Sequence, residues 1–213
     1  MGRSITEILD VAPIDMLNSL TKSFLDPQPS GLIPAHLLSQ ALDIQFHWVT
    51  ETGSFPTTPN HTSRITLVPT DSFATCPPLD IVLIGAHLPG YHPNPTELAF
   101  VRKAYEESSA FMTICAGIEV PLLAGLLDGK TATGPRGMLG YLRQHAPTTN
   151  WVEKRWVRDG KLWTAGALLN GTDMMGAFEH ATWGGEGTLV ELMCRMGGVP
   201  VRDVDYKDVS WDL

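Results

Sequence analysis

Three cysteines are present, Cys76, Cys115 and Cys194, and no two of them form a Cys-x-x-Cys pair. An odd number at wide spacing indicates neither a disulfide framework nor a thiolate zinc site, and no metal is expected. Basic clusters are absent too. The stretch richest in Lys and Arg, residues 153–161, mixes both signs, and the formal net charge is −8. Such a chain has no general attraction for nucleic-acid phosphates or anionic lipid. Apolar runs are too short to span a bilayer. Residues 1–10 carry charges and lack the apolar core of a secretory signal. These absences point to a reducing, cytoplasmic setting, without nucleic-acid or membrane partners. Only 18% of residues are charged against 43% hydrophobic, which excludes a disordered chain. The 213 residues suffice for one domain with its own core.

Gly and Pro punctuate the whole length, as many short connections require, and no linker or internal repeat stands out. Segment 26–34 (DPQPSGLIP) reads as a loop and 197–213 as an irregular tail. Between them, apolar patterns alternate. Segments 44–49 (IQFHWV) and 64–68 (RITLV) read as strands. Segments 80–84 (DIVLI) and 110–114 (AFMTI) are near-continuous apolar runs, suited to parallel strands covered on both faces. Helical spacing predicts helices over 11–22, 95–107, 117–127, 135–145, 173–180 and 187–196. Residues 152–157 and 162–167 bracket Asp159-Gly160, a hairpin signal. This order implies an α/β fold. One mostly parallel central sheet is flanked by helices, with sites at the C-terminal ends of its strands.

The sharpest local feature is AFMTICAGIEVPLLAGLL, residues 110–127. An apolar strand ends at Ile114. Cys115 follows, then small Ala116 and Gly117, then an apolar helix. Small residues there permit a sharp turn that holds the Cys115 side chain out at a helix N-terminus. Free N–H groups at such a turn, Ala116 among them, favour a thiolate and can stabilise an oxyanion. A depressed thiol pKa is therefore expected. The competing reading makes Cys115 a buried small hydrophobe.

The block ICAGIEVPLLAGLLDGKTAT resembles the nucleophile-elbow segment of the ThiJ/PfpI superfamily. Further similarity follows in order: LDVAPIDML (9–17), FATCPPLDIVLI (73–84), WVRDGKLWTAGALLN (156–170) and Gly171-Thr172-Asp173. The pattern is most similar to the isonitrile-hydratase-like branch, with its many fungal members. The resemblance implies a single flavodoxin-like domain over 1–213, a homodimer, and a small-molecule substrate handled without a cofactor. It also implies Asp10 as the carboxylate near the cysteine, with Asp15 as its backup. Capping of the helix over 11–22 is the alternative role for Asp10.

Four departures from that pattern matter. The eight residues before Leu9 are polar (MGRSITEI) where the family has an apolar strand, so the first strand is short or absent. Gly85-Ala86-His87 stands where the family's oxyanion loop has Pro-Gly-Gly. Ala86 can offer a backbone N–H there, and His87 is either a base or substrate contact or a solvated loop residue. The histidine common after Ala132-Thr133 is replaced by Gly134, next to the pocket. Ala116 replaces a threonine, and Glu119 lies one helical turn beyond Cys115, facing either the pocket or solvent. The resulting expectation is a lyase or hydratase acting on a small electrophile. Cys115, Asp10 and His87 are its catalytic candidates, with Gly85, Asp15, Glu119 and Gly134 around the pocket. A redox-sensing stress protein and a diverged cyclase or isomerase are the alternatives.

Overall fold

The computed structural model describes residues 6–54 and 62–210. The first five residues of the polar start, and the last three of the tail, lie outside these. In chain order the strands are β1 (Val49–Thr50), β2 (Asp71–Ser72), β3 (Ile81–Ile84), β4 (Ala110–Ile114), β5 (Thr131–Ala132), β6 (Asn150–Trp151), β7 (Trp156–Asp159) and β8 (Leu162–Ala165). The α-helices are α1 (Ile8–Val11), α2 (Ile14–Ser19), α3 (Lys22–Leu25), α4 (Ala35–Leu38), α5 (Pro95–Glu107), α6 (Glu119–Leu123), α7 (Leu139–His145), α8 (Asn170–Trp183) and α9 (Leu189–Met196).

The main sheet has the order β3-β4-β8-β7. Its first three strands are parallel, with Ile84 opposite Thr113 and Ile114 opposite Ala165. β7 closes the edge antiparallel. The turn between β7 and β8 is the Asp159-Gly160 signal at work, Gly160 taking the positive φ that a two-residue hairpin loop needs. Every residue of β4 and β8 is buried, as expected of central strands covered on both sides. One face carries Phe111, Ile118, Leu127, Leu139 and Leu142 from the elbow side. The other carries Met112, Ile114, Trp163, Met174 and Phe178, against α2 and α8. The helices on both faces and the mostly parallel sheet are those expected.

α5 shows how local chemistry sets a boundary. Asn94 Oδ1 accepts from the Glu97 N–H, and the Glu97 carboxylate accepts from the Asn94 N–H. This reciprocal cap, with Pro95 at the first helical position, starts the helix where the pattern predicts.

Four expectations fail. Segment 44–49 forms a ladder only at Val49–Thr50, and segment 64–68 forms none. A strand exists through its partner, and these lack one. The helix expected over 11–22 is broken into α1, α2 and α3, with Pro13 between the first two. The helix expected over 117–127 opens instead as a 3-10 turn, Cys115–Ile118, and continues as α6.

The tail over 197–210 is irregular but tied down. The buried Arg155 guanidinium donates to the Asp208 carboxylate at 2.8 Å and to the Asp203 carbonyl at 2.9 Å, and lies over the Tyr206 ring. Arg202 pairs with Asp173 on α8. No helix among the described residues is long and apolar enough to cross a membrane.

Candidate active site

Cys115 follows β4 directly and has φ +59. A left-handed conformation is costly for a residue with a β-carbon and persists only where its surroundings enforce it. Here the Cys115 N–H is held by the Gly166 carbonyl at the end of β8, at 3.1 Å. The turn also needs Gly117. A β-carbon there would lie 2.5 Å from the Ile84 carbonyl oxygen and 2.7 Å from that of Gly85. The elbow backbone therefore presses against the end of β3, and only glycine permits it.

Asp10, on α1, reaches the same place from the other side. It is fully buried, and its Oδ2 accepts from the Ala86 N–H at 2.8 Å. Gly85 makes room for it, since a β-carbon there would sit 3.0 Å from Asp10 Cβ and 2.8 Å from Thr6 Oγ1. The carboxylate oxygens of Glu7 and Asp10 and the Cys115 sulfur all lie within 4.8 Å of one another. The Leu168 backbone N–H, from the loop after β8, is directed at both Asp10 and Cys115. Leu168 also has positive φ, +52.

Burial sets the electrostatics. It pushes the Asp10 carboxyl up to about 6, against the Ala86 hydrogen bond that favours the ionised form, with the Glu7 charge adding to the rise. It pushes the Cys115 thiol up to about 12, and the Asp10 charge raises it further. This overturns the expectation of a depressed thiol pKa. The N–H groups of Ala116 and Leu168 act to lower it. A single 3-10 turn supplies too little of an aligned dipole to offset desolvation and two carboxylates.

The other sequence candidates fall around this centre unequally. Ala86 does not offer a free N–H for an oxyanion, because Asp10 occupies it. His87 is buried, and its ring has two polar neighbours. Nδ1 lies 3.1 Å from the Leu88 carbonyl and Nε2 lies 3.4 Å from the Glu119 carboxylate. A solvated loop position for His87 is thus excluded, and no hydrogen bond joins its ring to Cys115. Glu119 faces His87, not open solvent. Gly134 packs between Leu142 and Ile118, behind the elbow. Asp15 is exposed on α2 and lines a separate cavity of about 450 Å³ with Cys194 and Glu179, so it is no backup for Asp10. Capping does not explain Asp10, since Glu7 holds the N-cap position of α1 and Pro13 that of α2.

Two contributors escape a reading of the sequence. Glu7 stands three residues before Asp10, the spacing that brings two side chains onto one helical face. That signal is present in Glu-Ile-Leu-Asp. Leu168 acts through its backbone, which its side chain does not announce.

The DJ-1/PfpI family model matches residues 32–179. An isonitrile hydratase from Pseudomonas putida is 32% identical over 182 residues, covering 83% of this chain and 77% of the relative. Among solved structures, a ThiJ/PfpI family protein from Pseudomonas syringae aligns with a TM-score of 0.67 at 18% identity, over 93% of this chain and 73% of its own. A DJ-1 superfamily protein from Salmonella typhimurium, solved as a cysteine-to-alanine mutant, aligns at 0.66 and 18%, over 92% and 95%. At that identity the two structures speak to the fold alone. With the family model spanning most of its length, the chain belongs to the DJ-1/PfpI family.

Proposed function

We propose that the protein is a hydratase acting on a small electrophile, and that an isonitrile is its substrate class. The observation that carries this reading is the placement of Asp10 and Cys115, whose carboxylate and sulfur lie within 4.8 Å in a buried setting. An isonitrile reacts at one terminal carbon, which must receive both the nucleophile and a proton. A thiol and a carboxylate side by side match that demand, where an acid and a base set far apart would not.

The steps balance as follows. Asp10, ionised above about pH 6, takes the Cys115 proton as the sulfur attacks the terminal carbon. The carboxyl then passes that proton to the same carbon, giving a thioimidate, R–N=CH–S–Cys115. Water adds to the imidate carbon, its proton moving through Asp10 to nitrogen. The tetrahedral R–NH–CH(OH)–S–Cys115 collapses, releasing the N-substituted formamide and returning the thiol. The thiol is protonated at rest and ionises only as substrate arrives. That protects it from adventitious oxidation and weighs against a redox-sensing role, which calls for a low-pKa thiol. Ala116, where the family pattern has a hydroxyl, leaves Asp10 as the proton carrier beside the thiol. The wider reading keeps a cytoplasmic homodimer, which sedimentation would test.

The test is conversion of cyclohexyl isonitrile to the formamide, followed by chromatography. Cys115→Ala should abolish turnover. Asp10→Asn should lower kcat by about 10²- to 10⁴-fold, the range of a lost general acid–base. Full turnover by Cys115→Ala would overturn the assignment.

A further inference from the structure

The cavity that Asp15 lines, of about 450 Å³, lies between α2, α3, the loop after α3, α8, α9 and the start of the tail. Its volume falls within the roughly 300–1000 Å³ usual for small-ligand pockets. It is not the site just described, because neither Cys115 nor Asp10 lines it. Most of its wall is apolar. Phe24, Leu32 and Ile33 come from α3 and the loop after it, and Met193, Met196 and Val199 from α9 and the tail.

α8 contributes Thr172 and Glu179, two turns apart on one helical face. Glu179 is only 1% exposed. Its Oε2 accepts from the Cys194 thiol on α9 at 3.8 Å. Its Oε1 has no hydrogen-bond partner among the described residues. A buried carboxyl oxygen left in that state costs the fold free energy, and such atoms are few in native chains. Two other polar side chains of the lining are engaged locally. Ser19 donates to the Met16 carbonyl at 2.7 Å, and Gln28 to the Phe24 carbonyl at 3.0 Å. Asp15 adds a second carboxyl, and no Lys, Arg or His is among the described residues of the lining.

We propose that this cavity binds a primary alkylamine, with its ammonium group on the Glu179 carboxylate and its aliphatic body against the apolar wall. Two carboxyls with no cation to oppose them turn away an anion. A metal ion needs ligand atoms that converge, and among the described residues three such atoms meet only at Glu7, Asp10 and Cys115. A neutral alcohol brings one donor. An ammonium brings three, together with the charge that complements a buried carboxylate. Burial pushes the Glu179 carboxyl up to about 7, so it is part-protonated at neutral pH. The arriving ammonium draws it to the ionised form, and the displaced proton passes to solvent. Met16, Met193 and Met196 let the wall adapt to the amine's body. The proposal stands apart from the hydratase reading, which places its chemistry at Cys115.

The probe is hexylamine, titrated into the full chain by calorimetry, with hexanol as the neutral isostere. The amine should bind saturably and at least about tenfold more tightly than the alcohol. Glu179→Gln should narrow that gap to about twofold, with the far-UV spectrum unchanged. Labelling by methyl methanethiosulfonate locates the site without a substitution, because the half-buried Cys194 lines the cavity. Saturating hexylamine should slow modification of Cys194 about fivefold or more and leave that of Cys76 unchanged. N-acetyl-lysine methylamide hangs the same ammonium from a peptide. It should bind about tenfold more weakly than hexylamine, because the apolar wall cannot pair its peptide groups. Equal binding of amine and alcohol, an unchanged gap in Glu179→Gln, an unprotected Cys194, or equal binding of the lysine derivative would each overturn the proposal.

Discussion

Replacing Asp10 with Asn separates the charge of this residue from its shape. The amide oxygen can still accept from the Ala86 N–H, so α1 keeps its anchor. What disappears is a negative charge within 4.8 Å of the Cys115 sulfur. At an effective dielectric constant near 20, a unit charge at that distance is worth about 3 kcal/mol, or about two pKa units. The thiol, pushed up to about 12 in the parent, should titrate about two units lower. At pH 8 the thiolate fraction then rises about 100-fold. A thiolate loses intrinsic nucleophilicity as its pKa falls, with a slope near 0.5, so the alkylation rate rises only about tenfold. The assay is iodoacetamide labelling of Cys115 from pH 7 to 11, resolved by mass spectrometry from Cys76 and Cys194. The same substitution changes stability in a definite direction. The Asp10 pKa is raised on folding, from 3.8 to about 6. Its contribution is therefore whole below pH 3.8 and lost as pH climbs through 6. Asparagine never ionises, so the variant should be more stable than the parent at pH 8, by about 3 kcal/mol. It should thus be a more stable protein, with a more reactive thiol, that has lost its turnover. Slower labelling, or an unchanged titration midpoint, would show that the carboxylate does not act on the sulfur and would refute the reasoning.

Other perturbations probe the frame. Gly117→Ala puts a β-carbon 2.5 Å from the Ile84 carbonyl oxygen, so urea unfolding should show a loss of about 2–3 kcal/mol, with turnover falling as the elbow moves. Glu179, buried beside Cys194, has its carboxyl pushed up to about 7 by burial. Its contribution is whole below about 4.5 and lost as pH rises through 7, so Glu179→Gln should flatten the fall in melting temperature between pH 5 and 8. Arg155→Met leaves the Asp203 carbonyl and the Asp208 carboxylate without their donor. It should cost about 2–3 kcal/mol and expose the tail to proteolysis, and unchanged tail cleavage would contradict the anchoring role.

The main sheet was legible because its strands are buried runs whose pattern does not depend on a distant partner. β4 begins and ends where the apolar run does, and α5 starts at its proline. Segment 44–49 shows the limit. Its alternation is that of a strand, but a ladder needs a second edge at the right distance, and sequence periodicity carries no information about that edge. The site was legible in the same proportion. Cys115 announces itself by residue type and by the small residues that follow its strand, whereas Asp10 is singled out through the family resemblance, beside a capping role. The thiol pKa did not, because its sign depends on how much water the fold removes and on where two carboxylates end up. Ala86 illustrates the same loss. Its N–H could be placed on the right loop, yet whether it points at an oxyanion or at a carboxylate depends on α1 docking from 76 residues away.

That docking explains why two strained residues sit so close together. β4 and β8 run parallel with Ile114 opposite Ala165, so their following loops leave the sheet at the same level. Cys115 and Leu168 are the left-handed residues of those loops, at φ +59 and +52. In ordinary extended geometry each chain would continue past the sheet edge. The left-handed turn instead directs the Cys115 sulfur and the Leu168 N–H to one point, where the Asp10 carboxylate arrives from α1. Backbone strain at two residues thus fixes a thiol, a carboxylate and a donor that come from three separate segments. Relieving either turn should therefore cost turnover before it costs fold. Leu168→Gly, which adopts the same φ without strain, should leave melting unchanged or raise it. It should lower kcat, as the loop gains conformations in which the N–H points elsewhere. A variant with full kcat would show that the strain at Leu168 has no part in holding the site.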